Sequence, residues 1–207
     1  MTPPASRYRP GAPPDYSHRF HAGNVGDVWK HCALVELLRR VTAASPRVGY
    51  LETHAGEGAY PLAATGEWTE GIGRLWGEAE AGAAKDDALG RYLTLCRHLG
   101  RGSGRIEEYP GSPAFARALL GPQARLDLFE QDEAAFLRLQ RAVGEDPRVY
   151  PVRGDGWSSL NDALRSAEAT LDAVVALIDP PYSQKSEWGL AAEAGVTRRA
   201  LHHYFGN

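Results

Sequence analysis

The chain has 207 residues, 43% of them apolar, and a formal charge of −3 at neutral pH. That size supports one substantial core with a small appended subdomain, and no run comes near the ~18 consecutive apolar residues of a membrane-spanning helix. The negative balance excludes a protein that coats nucleic acid by bulk electrostatics, so any nucleic-acid contact has to be local.

Residues 1–15 are rich in proline and poor in apolar side chains, which predicts a disordered arm. The arm lacks the apolar core of a secretory signal, so the expectation is a soluble, cytoplasmic protein. Among residues 1–40, Arg7, Arg9, Arg19, Lys30, Arg39 and Arg40 outnumber Asp15, Asp27 and Glu36, which makes this the basic region of the chain. Asn24 and Asp27 form a capping arrangement, and Val28, Cys32, Val35 and Leu38 follow at helical spacing, giving a helix over about 25–41. After the Ser45-Pro46 break, residues 47–52 read as a strand that runs into the Gly-rich turn Thr53-His54-Ala55-Gly56-Glu57-Gly58. Residues 60–108 show no convincing strand and read as a helical insertion.

From Tyr109 the chain alternates. Ser112 is placed as the N-cap of a helix with Pro113 at its first position, where the missing N–H costs nothing. Strand 126–129, helix 132–143, strand 148–152, helix 158–169 and strand 173–178 follow. Strands separated by helices of this length predict βαβ units and a parallel sheet. The apolar run from Ala173 to Ile178 suits a strand buried on both faces. Cys32 and Cys96 fall inside helices with no further Cys or His at metal-ligand spacing, so both are expected to be buried reduced thiols and no metal is expected. The division is then an arm at 1–15, an α/β Rossmann-like domain from 16–59 and 109–188, the insertion at 60–108, and an atypical tail at 189–207.

In an open parallel sheet, ligands bind beyond the carboxyl ends of the strands, where the strand order reverses. The residues just after each strand therefore carry the chemistry. The glycines of the 53–58 turn allow close backbone approach to a ligand, or simply a tight turn. Glu130 could accept hydrogen bonds from a ribose diol, although it lies much farther along than the ~20 residues usual in dinucleotide-binding sheets. Asp155 suits a helix cap better than a ligand contact. The strongest signal is Asp179-Pro180-Pro181-Tyr182. An exocyclic aromatic amine is a poor nucleophile because its lone pair is delocalised into the ring. A carboxylate and a backbone carbonyl that each accept one amine hydrogen would localise that pair. The two prolines fix the backbone that presents both acceptors, and Tyr182 could stack on an extruded base. His31 and His54 fall in the same region without a pattern that singles either out.

These segments, with Tyr16-Ser17-His18-Arg19-Phe20-His21-Ala22-Gly23-Asn24, Asp27-Val28-Trp29-Lys30-His31, Tyr109-Pro110-Gly111-Ser112-Pro113 and Asp155-Gly156, resemble in order the bacterial 23S ribosomal RNA adenine-N6 methyltransferases. The resemblance spans about residues 16–188. It implies a Rossmann-like S-adenosylmethionine-dependent methyltransferase sheet with an inserted small helical subdomain. It implies that His31, His54, Ser112, Glu130, Asp155 and Gly156 contact S-adenosyl-L-methionine, that Asp179 is the catalytic acceptor within the Asp179-Pro180-Pro181-Tyr182 turn, and that Tyr16 touches the RNA. Lys30 is assigned with Tyr16 to substrate binding. The implied partner is 23S ribosomal RNA, free or in a large-subunit precursor, with no membrane or metal, and the implied state is a monomer.

After residue 188 the pattern departs from the family. The tail is similar to the helix-turn-helix of tetracycline-repressor-type regulators, and the expectation is a shortened or frame-altered end that leaves the sheet incomplete. The competing functions are a DNA adenine-N6 methyltransferase, a non-catalytic remnant, or a DNA-binding regulator that uses the tail.

Overall fold

Strand β1 (Val48–Glu52) is buried at every position and forms the middle of the molecule. A computed structural model describes residues 18–80, 86–101 and 105–180. In it, β4 (Arg125–Glu130) pairs with one edge of β1 and β6 (Ala173–Leu177) with the other, while β5 (Val149–Arg153) lies outside β4. All three pairings are parallel, in the order β5-β4-β1-β6, a Rossmann-like arrangement. The chain builds outward from β1 to β4 to β5, then crosses back to place β6 on the far side of β1. The order therefore reverses between β1 and β6, and the carboxyl ends of those strands open a crevice.

Helix α2 (Val25–Ala44) starts where the sequence predicts, with Asn24 Oδ1 accepting from the Asp27 N–H at 2.9 Å. It stands between two cores. Leu34, Leu38 and Val41 bury against the sheet, with Tyr50, Leu126, Leu128 and Leu139. Val28 and Val35 bury instead against Ile72, Trp76, Tyr92, Cys96 and Phe115 of a second cluster. Apolar side chains on two faces suit a helix that is covered on two sides.

The second cluster belongs to the stretch read as a strandless insertion. It contains a 3₁₀ turn at Glu67–Thr69, α3 (Ile72–Glu80) and α4 (Ala88–Leu99). It also contains strands, contrary to that reading: β2 (Ala59–Pro61) and β3 (Glu108–Pro110) pair antiparallel and close its neck. Each is three residues long and carries a proline, so neither is long enough for period-two alternation to show.

Three further expectations change. Helix α5 (Ser112–Leu119) takes Gly111, not Ser112, as its N-cap. The Ser112 hydroxyl lies inside the helix and donates to the buried carboxylate of Glu52, a charge-assisted contact. Cys96 is buried as expected, but Cys32 is partly exposed on the rim of α2, and both are free thiols. In β6 only Val175 is buried. Among the described residues β1 covers one edge of β6 and no strand lies on the other, so its remaining apolar residues stay half-buried. Asp155 caps α7 (Gly156–Glu168) as the sequence suggests, receiving the Trp157 N–H at 3.0 Å, while the helix read from 132 begins one residue later as α6 (Glu133–Val143), with Asp132 as a cap that receives the Ala135 N–H at 2.7 Å. No described helix is long and apolar enough to cross a membrane.

Candidate active site

The crevice between the ends of β1 and β6 contains a cavity of about 360 Å³. His54 and Ala55 enter it from the turn after β1, and Asp179 and Pro180 from the end of β6. Lys30 and His31 come from α2, and Ser112 from the start of α5. The turn is held from both sides, since the Thr53 N–H donates to the Leu177 carbonyl at 3.1 Å and the Ala55 N–H to the Phe129 carbonyl at 2.9 Å. Gly56 then adopts φ +62°, a left-handed conformation that glycine tolerates without strain, and aims its N–H at Glu130 Oε2, 2.8 Å away.

Lys30 is the electrostatic centre. Its Nζ lies 2.7 Å from Asp179 Oδ2 and 2.6 Å from Asp27 Oδ1. Burial disfavours the ammonium, but the two carboxylates outweigh it and hold the Lys30 pKa above the usual lysine value. Asp27 also accepts the Gly23 N–H at 2.9 Å, which fixes the entry to α2. The result is a cation clamped between two anions, one on its own helix and one on the turn after β6.

His31 is 2% exposed and neutral, because burial, with Lys30 adding to it, lowers its pKa to about 3. Its Nδ1 is 2.7 Å from the Tyr109 hydroxyl, which lies 2.9 Å from the Tyr92 hydroxyl. Its Nε2 has no partner. An unmet buried nitrogen in a cavity wall costs free energy until a ligand satisfies it.

Glu52, at the end of β1, is 1% exposed. It accepts hydrogen bonds from the Tyr50 hydroxyl at 2.9 Å and from the Ser112 hydroxyl. Burial outweighs both donors and pushes its pKa up to about 7. Ser112 thus spends its one proton on Glu52 and keeps its oxygen lone pairs for the cavity.

The structure therefore brings Lys30, His31, His54, Ser112, Asp179 and Pro180 to one cavity. Glu130, Asp155 and Gly156 are not among its lining residues. They follow the carboxyl ends of β4 and β5, joined to the cavity by the 53–58 turn. Both Glu130 oxygens are engaged, one by Gly56 and one by the Asp132 N–H at 2.8 Å. Gly156 packs on Thr53 so closely that a Cβ there would overlap the Thr53 carbonyl. Tyr16, Pro181 and Tyr182 lie outside the described residues. Sequence reasoning missed Glu52 and Asp27 as site residues. A lone acid ending an apolar strand was the available signal for Glu52, and the Asp27–Lys30 helical spacing for Asp27. Among the described residues no group of three or more His, Cys, Asp or Glu side chains could hold a metal ion.

A family model described as Ribosomal RNA large subunit methyltransferase D, RlmJ, matches residues 45–202. The chain belongs to this family. The match continues past the Asp179 turn and into the tail that the sequence reading set apart. Relatives in the RlmJ family include the Ribosomal RNA large subunit methyltransferase J of Escherichia coli, 35% identical over 178 residues, which cover 84% of this chain and 61% of the relative. The protein of the same name from Haemophilus influenzae is 34% identical over 197 residues, covering 91% of this chain and 68% of the relative. A Legionella pneumophila protein of known crystal structure superimposes with a TM-score of 0.74 at 33% identity, over 84% of this chain and 63% of that one. This RlmJ-family chain thus spans about three fifths of the length of the E. coli relative.

Proposed function

We propose that the chain transfers a methyl group from S-adenosyl-L-methionine to the N6 amine of an adenine in 23S ribosomal RNA. The observation that carries the proposal is the meeting of Asp179, from the Asp-Pro-Pro-Tyr turn, with His54 and Ala55 of the Gly-rich turn in one cavity at the sheet's reversal point. The family membership supports it, and the E. coli and H. influenzae relatives are named Ribosomal RNA large subunit methyltransferase J.

The residues present fit the cofactor. His31 Nε2 is a buried nitrogen in want of a partner, Ser112 offers lone pairs to a donor group, and Asp27 and Asp179 favour a cationic ligand. When bound, S-adenosyl-L-methionine supplies a methyl group already activated on a sulfonium. The chain's own task is then positioning and electrostatics. Asp179 accepts one hydrogen of the adenine amine and a backbone carbonyl of the turn accepts the other, which localises the nitrogen lone pair for attack. Once the amine had accepted the methyl group, Asp179 would take up the proton that the amine sheds. Lys30, clamped between that carboxylate and Asp27, keeps it from swinging away at the proposed substrate site. Glu130, Asp155 and Gly156 extend the cofactor site along the strand ends, and the family resemblance assigns Tyr16, Pro181 and Tyr182 to the substrate.

The test is transfer of tritium from labelled cofactor to deproteinised 23S ribosomal RNA, to duplex DNA and to neither, with digestion to nucleosides. N6-methyladenosine from the RNA alone is the expected product. Label in DNA alone would replace the substrate, and calorimetry that shows no binding of S-adenosyl-L-methionine would reduce the chain to a non-catalytic remnant.

A further inference from the structure

Behind the Gly-rich turn lies a second and larger cavity, of about 560 Å³, whose lining is basic. Five arginines and two glutamates line it in a chain whose overall charge is −3. The arginines come from residues 101–148, not from the basic region at residues 1–40, so only folding gathers them. The wall between the two cavities is thin. The Gly111 N–H donates to the Gly58 carbonyl at 2.9 Å, and on one side of this pairing Ala55 and Ser112 face the candidate active site. On the other side Glu57 and Ala114 face the basic cavity.

The arginines are not equally committed. Arg148 is fully used, by Asp146 at 2.7 Å and by the carbonyls of Arg117, Leu120 and Gly121. Arg117 shares Asp146 and donates to the Ala142 carbonyl at 3.1 Å. Arg138 Nε is 2.9 Å from Glu57 Oε2, within ion-pair range, yet makes no hydrogen bond. Arg101, 82% exposed, only reaches Glu108 at 3.5 Å. Arg141 is exposed and has no ion pair among the described residues. Arg117 and Arg148 are thus committed to Asp146 and to backbone carbonyls, whereas the exposed Arg101 and Arg141 leave guanidinium donors for a ligand. Like charges gathered in a concave surface focus potential and favour an anion that can bridge several of them. A guanidinium fork matches phosphate oxygens in particular.

We propose that this arginine-lined cavity grips the phosphate backbone of the substrate RNA next to the segment that carries the target adenine, and so holds the RNA from the far side of the Gly-rich turn. The inference rests on the RNA-methylation reading above. RNA is favoured over a small anion because the basic surface adjoins the catalytic cavity and because a chain of net negative charge needs a local cationic grip on RNA. Helices α5 and α6 and the β2–β3 pair line this cavity, whereas β6, with its uncovered edge among the described residues, packs on β1 and α7. The surface therefore stands clear of that edge.

The test compares the full chain with Arg101→Ala/Arg141→Ala, both positions exposed and outside the catalytic cavity. Binding to 23S ribosomal RNA fragments is measured at several salt concentrations, alongside S-adenosyl-L-methionine affinity and thermal unfolding. The expected result is an RNA affinity reduced about tenfold and a salt slope reduced by up to ~2, with cofactor affinity and melting temperature unchanged. If the unaltered chain binds and methylates RNA while the variant binds it with the same affinity and slope, the inference is overturned and the methylation reading stands. If the unaltered chain binds no RNA, both fall. A calorimetric arm with inorganic phosphate separates the sources: tight phosphate binding lost in the variant, with RNA affinity intact, would assign the cavity to a small anion and overturn the RNA contact.

Discussion

Lys30 Nζ lies 2.7 Å from Asp179 Oδ2 and so joins two side chains 149 positions apart in the sequence. The contact ties the second turn of α2 to the end of β6 and aims the carboxylate across the mouth of the cavity. Asp179→Ala should lower methyl transfer by at least ~10²-fold, because it removes the acceptor that localises the amine lone pair. Cofactor affinity measured by calorimetry should change little. A parallel loss of cofactor binding would mean that Asp179 builds the cofactor site and does not act on the amine.

Lys30→Met leaves Asp27 and Asp179 facing each other without the cation between them. Mutual repulsion should displace the Asp179 carboxylate, with turnover reduced more than cofactor affinity. Lys30→Arg should restore part of the turnover, since it returns the charge with a different geometry. If the Met variant keeps full turnover, the clamp has no part in positioning Asp179.

His31 lines the cavity, with Tyr109 on its Nδ1 and no hydrogen-bond partner for its buried Nε2 among the described residues. His31→Phe keeps the ring and removes both nitrogens, so it should weaken S-adenosyl-L-methionine binding by about tenfold through one lost hydrogen bond. The Tyr109 hydroxyl retains its contact with Tyr92. Unchanged affinity in calorimetry would place the cofactor away from this nitrogen.

Two buried groups should oppose each other in the pH dependence of stability. Glu52 is pushed up from 4.5 to about 7, so between those values the folded chain holds a proton that the unfolded chain has released, and raising the pH lowers stability. His31 is lowered from 6.5 to about 3, so in that range the unfolded chain takes up a proton that the folded chain refuses, and lowering the pH lowers stability. The two slopes offset each other between pH 4.5 and 6.5. Urea midpoints of Glu52→Gln should therefore fall more steeply toward acid than those of the unaltered chain. His31→Asn should lose its acid-side decline and weaken as pH rises toward 7. Profiles parallel to the unaltered chain in both variants would show that neither group is buried in solution as it is here.

Gly156→Ala tests how closely the row of strand ends is packed. The added methyl would run into the Thr53 backbone, which cannot rotate away as a side chain could. A loss of about 1–3 kcal/mol is expected, seen as a melting temperature lower by several degrees. Because Thr53 anchors the turn that carries His54, cofactor affinity should fall with it. A variant as stable and as tight as the parent would show that the strand ends yield to admit a methyl group.

Much of this molecule could be read from local pattern. The strands at β1, β4, β5 and β6 and the caps at Asn24 and Asp155 follow from periodicity and capping, which depend on neighbours in the chain. The run Asp179-Pro180-Pro181-Tyr182 suggested its chemistry because the expected acceptor and the prolines beside it are contiguous in the sequence. What local pattern could not supply is any relation whose partners are far apart along the chain. The sequence marks Ser112 as a cap, yet packing brings the buried Glu52 to its hydroxyl and moves the cap to Gly111. The β2–β3 pair was invisible because each strand is too short to show a period. The Lys30 clamp and the arginine cavity likewise exist only once the strand order β5-β4-β1-β6 is set. Charge interactions depend on distance in space, and only the tertiary fold fixes that distance.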